Sequence, residues 1–171
     1  MKLSLVSKTL VATIALFFVG VVTHMLSAQQ QSPQVTEDTT RKPQSPLSLA
    51  LPMAFVPTSH PEAAKKFYSE SLGLDLVADD SFALIYKLAG DQTLRVQRVK
   101  ELTPHPFTAF GWQVNDIDVA TRDLVSRGVK FEKFSFMKQD DSGICTFDNG
   151  DRVAWFKDPD GNTLSIAQLK K

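Results

Sequence analysis

The sequence predicts an α+β fold made of two copies of one strand–helix–strand–strand–strand module, giving two sheets that are each covered by a helix. Two stretches, FVPTSHPEAAKKFYSESLGLDL and WQVNDIDVATRDLVSRGVKFEK, share a strand, a capped helix, a glycine and a second strand. Similar strand patterns follow each stretch, so the plan repeats after about 55 residues, the period expected of a duplicated module. An unrelated mixed α+β domain is the alternative.

The first module begins with a strand at Leu49–Thr58. Ser59 and Glu62 have the spacing of a capping box, in which the serine hydroxyl accepts an N–H of the first helical turn and the glutamate reaches back. Gly73 is the expected end of that helix. Three short strands are predicted next by their β-branched and aromatic content and by the turns between them. They are Leu74–Val77, Phe82–Leu88 and Thr93–Val99.

The second module opens with a strand at Thr108–Val114, after which Asn115 can cap a helix that ends at Gly128. Asn149-Gly150 predicts a tight hairpin turn, because both residue types tolerate positive φ. The remaining strands are predicted at Val129–Phe134, Ile144–Phe147, Arg152–Phe156 and Thr163–Ala167.

Residues 1–28 have the layout of a signal peptide: Lys2 and Lys8, an apolar stretch at 10–22, and the small residues Ser27 and Ala28. Thirteen helical residues rise about 20 Å, less than a bilayer core of about 30 Å, so cleavage after export is favoured. A longer uncleaved stretch could still anchor the chain in a membrane. Residues 29–47 are polar and proline-rich, which is typical of a disordered linker. The folded domain is then 48–171, exported to the periplasm or secreted.

Composition excludes several classes of site. Nineteen basic residues balance nineteen acidic ones without a basic stripe, so nucleic acid is not an expected partner. Cys145 is the single cysteine, which excludes an intramolecular disulfide and a cysteine-rich zinc site. His24, His60 and His105 are too far apart in sequence to suggest a histidine-built metal centre. The acidic run 158–162 could suggest calcium, but Asp, Pro, Gly and Asn are fully explained by a turn.

The combination of FYSESLGL after the first helix, VNDID before the second and FKDPDGNTL near the end resembles the vicinal oxygen chelate superfamily. This superfamily includes glyoxalase I, bleomycin-resistance proteins, fosfomycin-resistance enzymes and extradiol dioxygenases. The resemblance covers residues 50–168. It implies paired βαβββ modules whose curved sheet encloses a cleft, with helices on the outer face, and it implies a homodimer in which the second subunit completes the cleft.

Metal-using members of that superfamily place His, Glu or Gln ligands on four strands. Counting from the motifs puts the matching positions at Met53, Arg95, Ala109 and Ser165. A thioether, a guanidinium, a methyl group and a neutral hydroxyl do not form a site for a divalent cation. The sequence therefore predicts no metal, no cofactor and no catalytic residue.

Strand alternation assigns the side chains that face the cleft. Arg95 is the most informative, because a guanidinium in a partly dry cleft needs a carboxylate or phosphate partner. An open rim, or an acid of the same chain, would satisfy it equally well. The predicted ligand-binding residues are Met53, Phe55, Arg95, Gln97, Ala109, Gly111, Gln113 and Ser165.

These observations favour an exported, metal-independent protein that sequesters or senses a small organic ligand with an anionic or strongly polar end. A membrane contact is expected only through an uncleaved N-terminal segment. Two alternatives remain open. One is an enzyme, either a lyase or isomerase of the glyoxalase type or a dioxygenase, with a displaced metal site. The other is a protein-interaction module whose cleft is filled by its own side chains.

Overall fold

The computed structural model describes residues 45–171. The predicted signal peptide or anchor (1–28) and nearly all of the predicted linker (29–47) lie outside the described residues. Within 45–171, no helix has both the length and the apolar character needed to cross a membrane.

The first module has the predicted order of one strand, one helix and three strands. Strand β1 lies parallel to β4, and β4, β3 and β2 are successive antiparallel neighbours, which gives the sheet order β1-β4-β3-β2. A short π-helix continues α1 over Phe67–Ser71. The bounds are β1 Met53–Thr58, α1 Pro61–Lys66, β2 Leu76–Asp79, β3 Ala83–Lys87 and β4 Thr93–Arg98.

The second module repeats this arrangement. Its first strand, β5, lies parallel to its last, β8, and the sheet order is β5-β8-β7-β6. The duplication predicted from the sequence is therefore confirmed, with equivalent strands at equivalent places in both sheets. The bounds are β5 Thr108–Gln113, α2 Ile117–Ser126, β6 Cys145–Thr146, β7 Arg152–Lys157 and β8 Thr163–Gln168.

One hydrophobic core joins the buried faces of both sheets and the two helices. Val56 on β1 and Leu164 on β8 are fully buried, as strand alternation predicts. Tyr68 at the end of the first helical stretch packs its ring 5.6 Å from that of Tyr86. Phe156 on β7 lies 6.4 Å from Phe67, so the first helical stretch also packs against the second sheet. The edge strands β1 and β5 lie next to each other.

The predicted helix caps are only partly correct. Gly73 and Gly128 follow the two helices with φ of 67° and 89°, as expected of residues that end a helix. The capping box is wrong, because the Ser59 hydroxyl donates to Asp160 instead of serving the helix. The N-terminal cap of α2 is Asp116, which accepts a hydrogen bond from the backbone N–H of Val119, and not its neighbour Asn115.

The strand predicted at Leu74–Val77 lies two residues later, at Leu76–Asp79, and two other predicted strands differ more. Strand β1 begins at Met53, because residues 46–49 form a 3₁₀ turn capped by the Ser45 side chain. The stretch 129–134 is not a strand and contributes one bridge, between Phe131 and Phe156. Its backbone is instead held by Gln139, whose side chain accepts from the N–H of Phe134 and donates to the carbonyl oxygens of 132 and 143.

The turn between β7 and β8, residues 158–162, fastens the second module to the first. The carboxylate of Asp160 accepts hydrogen bonds from the Thr58 hydroxyl, from the backbone N–H and hydroxyl of Ser59, and from His60 Nδ1. Burial alone would raise the pKa of Asp160, but the hydrogen bonds from Thr58, Ser59 and His60 outweigh it and lower the pKa to about 2. Asp160 therefore stays ionised at neutral pH and holds the junction between β1 and α1.

Asp158 organises the inside of the same turn. Its carboxylate accepts from the Tyr68 hydroxyl at 3.0 Å and from the backbone N–H groups of Asp160 and Asn162 at 3.0 and 2.9 Å. The side-chain amide of Asn162 donates to Asp158 and to the Pro57 carbonyl oxygen, both at 2.8 Å. Both acidic side chains are thus used in hydrogen bonding within the protein, which agrees with the turn interpretation of this motif.

Candidate functional site

Each sheet has one face turned away from the shared core, and we call these the open faces. On the first sheet the open face carries four predicted site residues: Met53, Phe55, Arg95 and Gln97. Met53 and Phe55 are 58% and 51% exposed, whereas the alternate residue Val56 is fully buried. Gln97 continues this row and is also exposed. Met53, Phe55 and Gln97 are therefore open to solvent, and Arg95 is half-buried.

Arg95 lies at the centre of the first open face. It is directly opposite Phe55 on β1 and Ile85 on β3. Among residues 45–171, its buried Nε atom has no hydrogen-bond partner and its guanidinium forms no ion pair. A buried, unpartnered donor of this kind costs free energy, about 1–3 kcal/mol for a neutral group and more for a charged one.

Asp80 is an acid of the same chain whose charge interacts with that of Arg95, but within residues 45–171 the two form no ion pair. Its pKa is lowered mainly by the backbone N–H groups of Ala83 and Phe82, which donate to its carboxylate at 2.9 and 2.7 Å. The positive charges of Arg95 and Arg98 lower it further. This carboxylate is therefore held by backbone donors and not by the Arg95 guanidinium.

The open face of the second sheet is centred on Gly111 and Ser165. These residues lie opposite each other on β5 and β8, and Gln113 lies opposite Ala167 on the same face. Ser165 is only 8% exposed. The Ser165 side chain packs into the space that Gly111 leaves free, because a Cβ at Gly111 would overlap Ser165 Oγ and lie 3.1 Å from the Ser165 carbonyl oxygen.

Replacing Gly111 by alanine should therefore lower the free energy of unfolding by about 1–3 kcal/mol, the range for overpacking at a filled position. Urea unfolding of the purified protein measures the effect. In a double variant that also carries Ser165→Ala, part of the loss should be recovered, because the closest clash is with the serine oxygen. Equal stability of wild type and Gly111→Ala would show that the close contact between Gly111 and Ser165 does not constrain the site.

Ala109 is the predicted site residue whose place in the sheet differs most from the prediction. The β5–β8 register shifts between Thr108 and Phe110, so Ala109 has no partner on β8. Thr108, opposite Thr163, instead takes a place on the open face, and its Oγ1 accepts a hydrogen bond from Trp155 Nε1 at 3.0 Å. The irregularity moves the predicted position by one residue, which strand alternation cannot anticipate.

Ile85 and Thr108 lie on the open faces and were not among the predicted site residues, whereas the sequence alone left Trp155 undecided between the core and the cleft. Trp155 is opposite Ser165 and packs edge-on against Phe134, with ring centroids 5.9 Å apart. The position of Trp155 could have been inferred from the sequence, because the turn 158–162 fixes the β7–β8 register and so pairs Trp155 with Ser165. Trp112, by contrast, belongs to the core side, where its ring stacks on Phe156.

The positions where metal-using relatives carry ligands hold no set of suitable donors. They are occupied by Met53, Arg95 and Ser165, and on β5 by Thr108 or Ala109. A hard cation prefers carboxylate oxygens, and zinc prefers imidazole, thiolate or carboxylate. Within residues 45–171, no three His, Cys, Asp or Glu side chains converge in a way that could hold a metal ion.

Comparisons with known proteins agree with this architecture. The sequence model of the Glyoxalase/Bleomycin resistance protein/Dioxygenase superfamily matches residues 50–166. No curated protein matches the sequence closely enough to count as a relative.

Among solved structures, TnmS3, an antibiotic binding protein from Streptomyces sp. CB03234, is 26% identical with a TM-score of 0.52, covering 76% of this chain and 100% of that one. A glyoxalase/bleomycin resistance protein from Catenulispora acidiphila is 21% identical with a TM-score of 0.55, covering 70% and 98%. A lactoylglutathione lyase from Agrobacterium tumefaciens is 19% identical with a TM-score of 0.54, covering 74% and 96%. The last two similarities concern the fold alone.

Proposed function

The chain belongs to the Glyoxalase/Bleomycin resistance protein/Dioxygenase superfamily, and on that basis we propose that it binds a small organic anion without the help of a metal. Arg95 carries the proposal. Its guanidinium lies on an open sheet face, its Nε is buried without a partner, and no acid within residues 45–171 pairs with it. Arginine binds carboxylate and phosphate groups through paired N–H donors, so these are the expected ligand groups.

The neighbours of Arg95 indicate what the rest of the ligand is like. Phe55 and Ile85 flank the guanidinium on adjacent strands, and Met53 extends the apolar surface along β1. An apolar surface with one directed polar group suits a ligand with a flat or apolar body and a single anionic end. The similarity to an antibiotic binding protein supports a binding role for small molecules.

Metal independence is supported by the donor chemistry of the same faces. A thioether, a guanidinium and a hydroxyl stand where metal ligands would be needed, and the positive charge of Arg95 would repel a cation. Without a Lewis acid, a nucleophile or a paired acid and base, such a surface binds a ligand but has few means of stabilising a transition state.

Export and dimerisation complete the proposal. Residues 1–28 would direct the chain to the periplasm or outside the cell, or anchor it if they are not removed. A second copy of the chain would cover the exposed apolar side chains of the open faces, including Met53 and Phe55, and enclose the ligand. Sequestering or sensing the ligand outside the cytoplasm is the role that these features fit.

A thermal-shift series tests the anion requirement. We expect 1-naphthoate and phenyl phosphate to raise the melting temperature, and the uncharged 1-naphthamide to raise it much less. A ligand present at 100 times its dissociation constant adds about 2.7 kcal/mol to the free energy of unfolding. Equal stabilisation by the acid and the amide, or none by any anion in the series, would contradict an anion site at Arg95.

A further inference from the structure

Large apolar side chains are exposed at every second position where the described chain begins. Leu47, Leu49, Leu51, Met53 and Phe55 have exposed fractions of 80%, 81%, 60%, 58% and 51%. Met53 and Phe55 belong to β1, whereas the three leucines precede it. Exposed apolar residues that occur singly are ordinary, but a continuous row of them marks a surface that contacts another molecule.

Residues 45–52, which we call the arm, have a defined local structure that buries none of their side chains. The Ser45 hydroxyl accepts a hydrogen bond from the Leu47 N–H at 3.3 Å, and the Ser48 hydroxyl donates to the Ser45 carbonyl oxygen at 2.7 Å. The leucines of the arm and Met53 are all more than half exposed. The arm therefore does not cover the open face of its own chain.

Composition limits what can cover the arm. Residues 29–44 contain one valine and no leucine, isoleucine, methionine or aromatic residue, so that stretch offers little apolar surface. From Ser45 the chain carries no acidic residue before Glu62 and no Lys or Arg before Lys65. Segments that bind a lipid surface combine apolar side chains with basic ones, and the arm has none. A protein surface with exposed apolar side chains is the better match.

The open face of the first sheet in a second copy provides such a surface. Met53 and Phe55 are exposed there, and Phe55 lies opposite Arg95. The arm has no acid that would compete with an anion for the guanidinium. An extended chain of this length spans about 26 Å, more than the width of about 14 Å across four strands. In a two-fold symmetric dimer the same contact forms twice, because each copy supplies one arm and one face.

We propose that the arm of one copy packs across the open face of the first sheet in a second copy. The partner's leucines cover Met53 and Phe55 there and close the apolar side of the Arg95 site. This excludes water around Arg95 and its ligand, which strengthens their electrostatic attraction. For its ligand the inference rests on the proposed anion binding. The contact between copies needs no ligand, so the two can be tested apart.

Analytical ultracentrifugation of the purified protein tests the contact. Wild type should sediment as a dimer. The triple variant Leu47→Ser, Leu49→Ser, Leu51→Ser should raise the dissociation constant of the dimer about 100-fold or more, because the leucines lose their buried apolar contacts. The matched control is the double variant Val119→Ser, Val125→Ser, which removes two exposed valines of α2 and should dimerise like wild type.

Cross-linking shows whether the arm packs on the partner or on its own chain. One chain carries Leu49→Cys, and a second chain with a different tag carries Gln97→Cys, at an exposed position on the open face. A short bismaleimide should join the two chains. Val125→Cys in place of Gln97→Cys is the control and should give no product. Cys145 is buried and is left in place.

Titration with 1-naphthoate connects the arm to ligand binding. The triple variant should bind it about tenfold more weakly, because the apolar body of the ligand loses part of its cover. Equal affinity in wild type and the triple variant would show that the arm does not close the site. A leucine-dependent dimer that binds no 1-naphthoate would refute the anion site but support the contact between copies.

Three results would overturn the contact itself. They are a monomeric wild type, a triple variant that dimerises like wild type, and a chain carrying both Leu49→Cys and Gln97→Cys that cross-links only to itself. A monomeric wild type that floats with phosphatidylcholine vesicles would assign the leucines to a lipid surface instead.

Discussion

Replacing Asp160 by alanine is expected to lower the free energy of unfolding by about 3 kcal/mol, because it removes the acceptor of several buried or partly buried donors. The Asp160 side chain is only 1% exposed. Without it, the Thr58 hydroxyl and the Ser59 backbone N–H lose their acceptor at a junction that joins the two modules. Urea unfolding followed by circular dichroism measures the loss.

Two further variants show whether the charge or the hydrogen bonds matter. Asp141→Ala, at an exposed loop aspartate, is the matched control and should change the stability by less than about 0.5 kcal/mol. Asp160→Asn keeps one acceptor oxygen and should lose less than Asp160→Ala.

The pKa of Asp160 is lowered to about 2 in the folded protein, so its ionised form stabilises the fold above the ordinary carboxyl pKa. The difference between wild type and Asp160→Asn should accordingly shrink as the pH falls from about 4 towards 2. A loss in Asp160→Ala no larger than that in Asp141→Ala would show that the turn does not fasten the modules.

Replacing Arg95 by alanine is expected to weaken the binding of 1-naphthoate by about 30- to 1,000-fold, or about 2–4 kcal/mol, the range for removing one partner of a desolvated charge pair. Arg95→Lys keeps the charge but not the paired donors, so it should recover only part of the affinity. Isothermal titration calorimetry measures both. Arg122→Ala, which removes an exposed arginine of α2, is the control and should bind like wild type.

Stability distinguishes a binding role for Arg95 from a structural one. Because its buried Nε makes no hydrogen bond, Arg95→Met should be as stable as wild type or more stable in the absence of ligand. A structural arginine would instead destabilise the protein when it is removed. Unchanged affinity in Arg95→Ala, or a large loss of stability in Arg95→Met, would contradict the proposed role.

Local rules predicted the parts of the fold that depend on neighbouring residues. Alternation assigned Val56 and Leu164 to the core and Met53 and Phe55 to the open side, because a strand turns successive side chains to opposite faces. Gly73 and Gly128 ended the helices because positive φ costs glycine little.

The errors arose where a distant residue decides the local structure. Ser59 fits a capping box by spacing, but Asp160 lies a hundred residues further along the chain and takes its hydroxyl. The stretch 129–134 has strand composition, yet the Gln139 side chain bonds to the Phe134 N–H and to the Glu132 carbonyl oxygen. Ala109 has no partner on β8, because the β5–β8 register shifts between Thr108 and Phe110. None of these contacts can be inferred from the spacing of residues in the sequence.

The candidate site was predictable in composition but not in shape. Arg95 could be singled out because a guanidinium on the cleft side of a strand needs a partner, and the structure adds that its Nε has none within residues 45–171. The sequence could not show whether Asp80 would pair with Arg95. In the structure, the backbone N–H groups of Phe82 and Ala83 donate to the Asp80 carboxylate. The exposure of the open faces depends on how the two modules pack together, and a local sequence pattern does not predict that packing.

Binding of an organic anion without a metal is tested most directly by titrating 1-naphthoate into the protein before and after treatment with EDTA. The proposal predicts the same affinity and stoichiometry in both titrations, because Arg95 and the apolar side chains around it provide the contacts. Binding that disappears with EDTA and returns with one equivalent of zinc or nickel would contradict it.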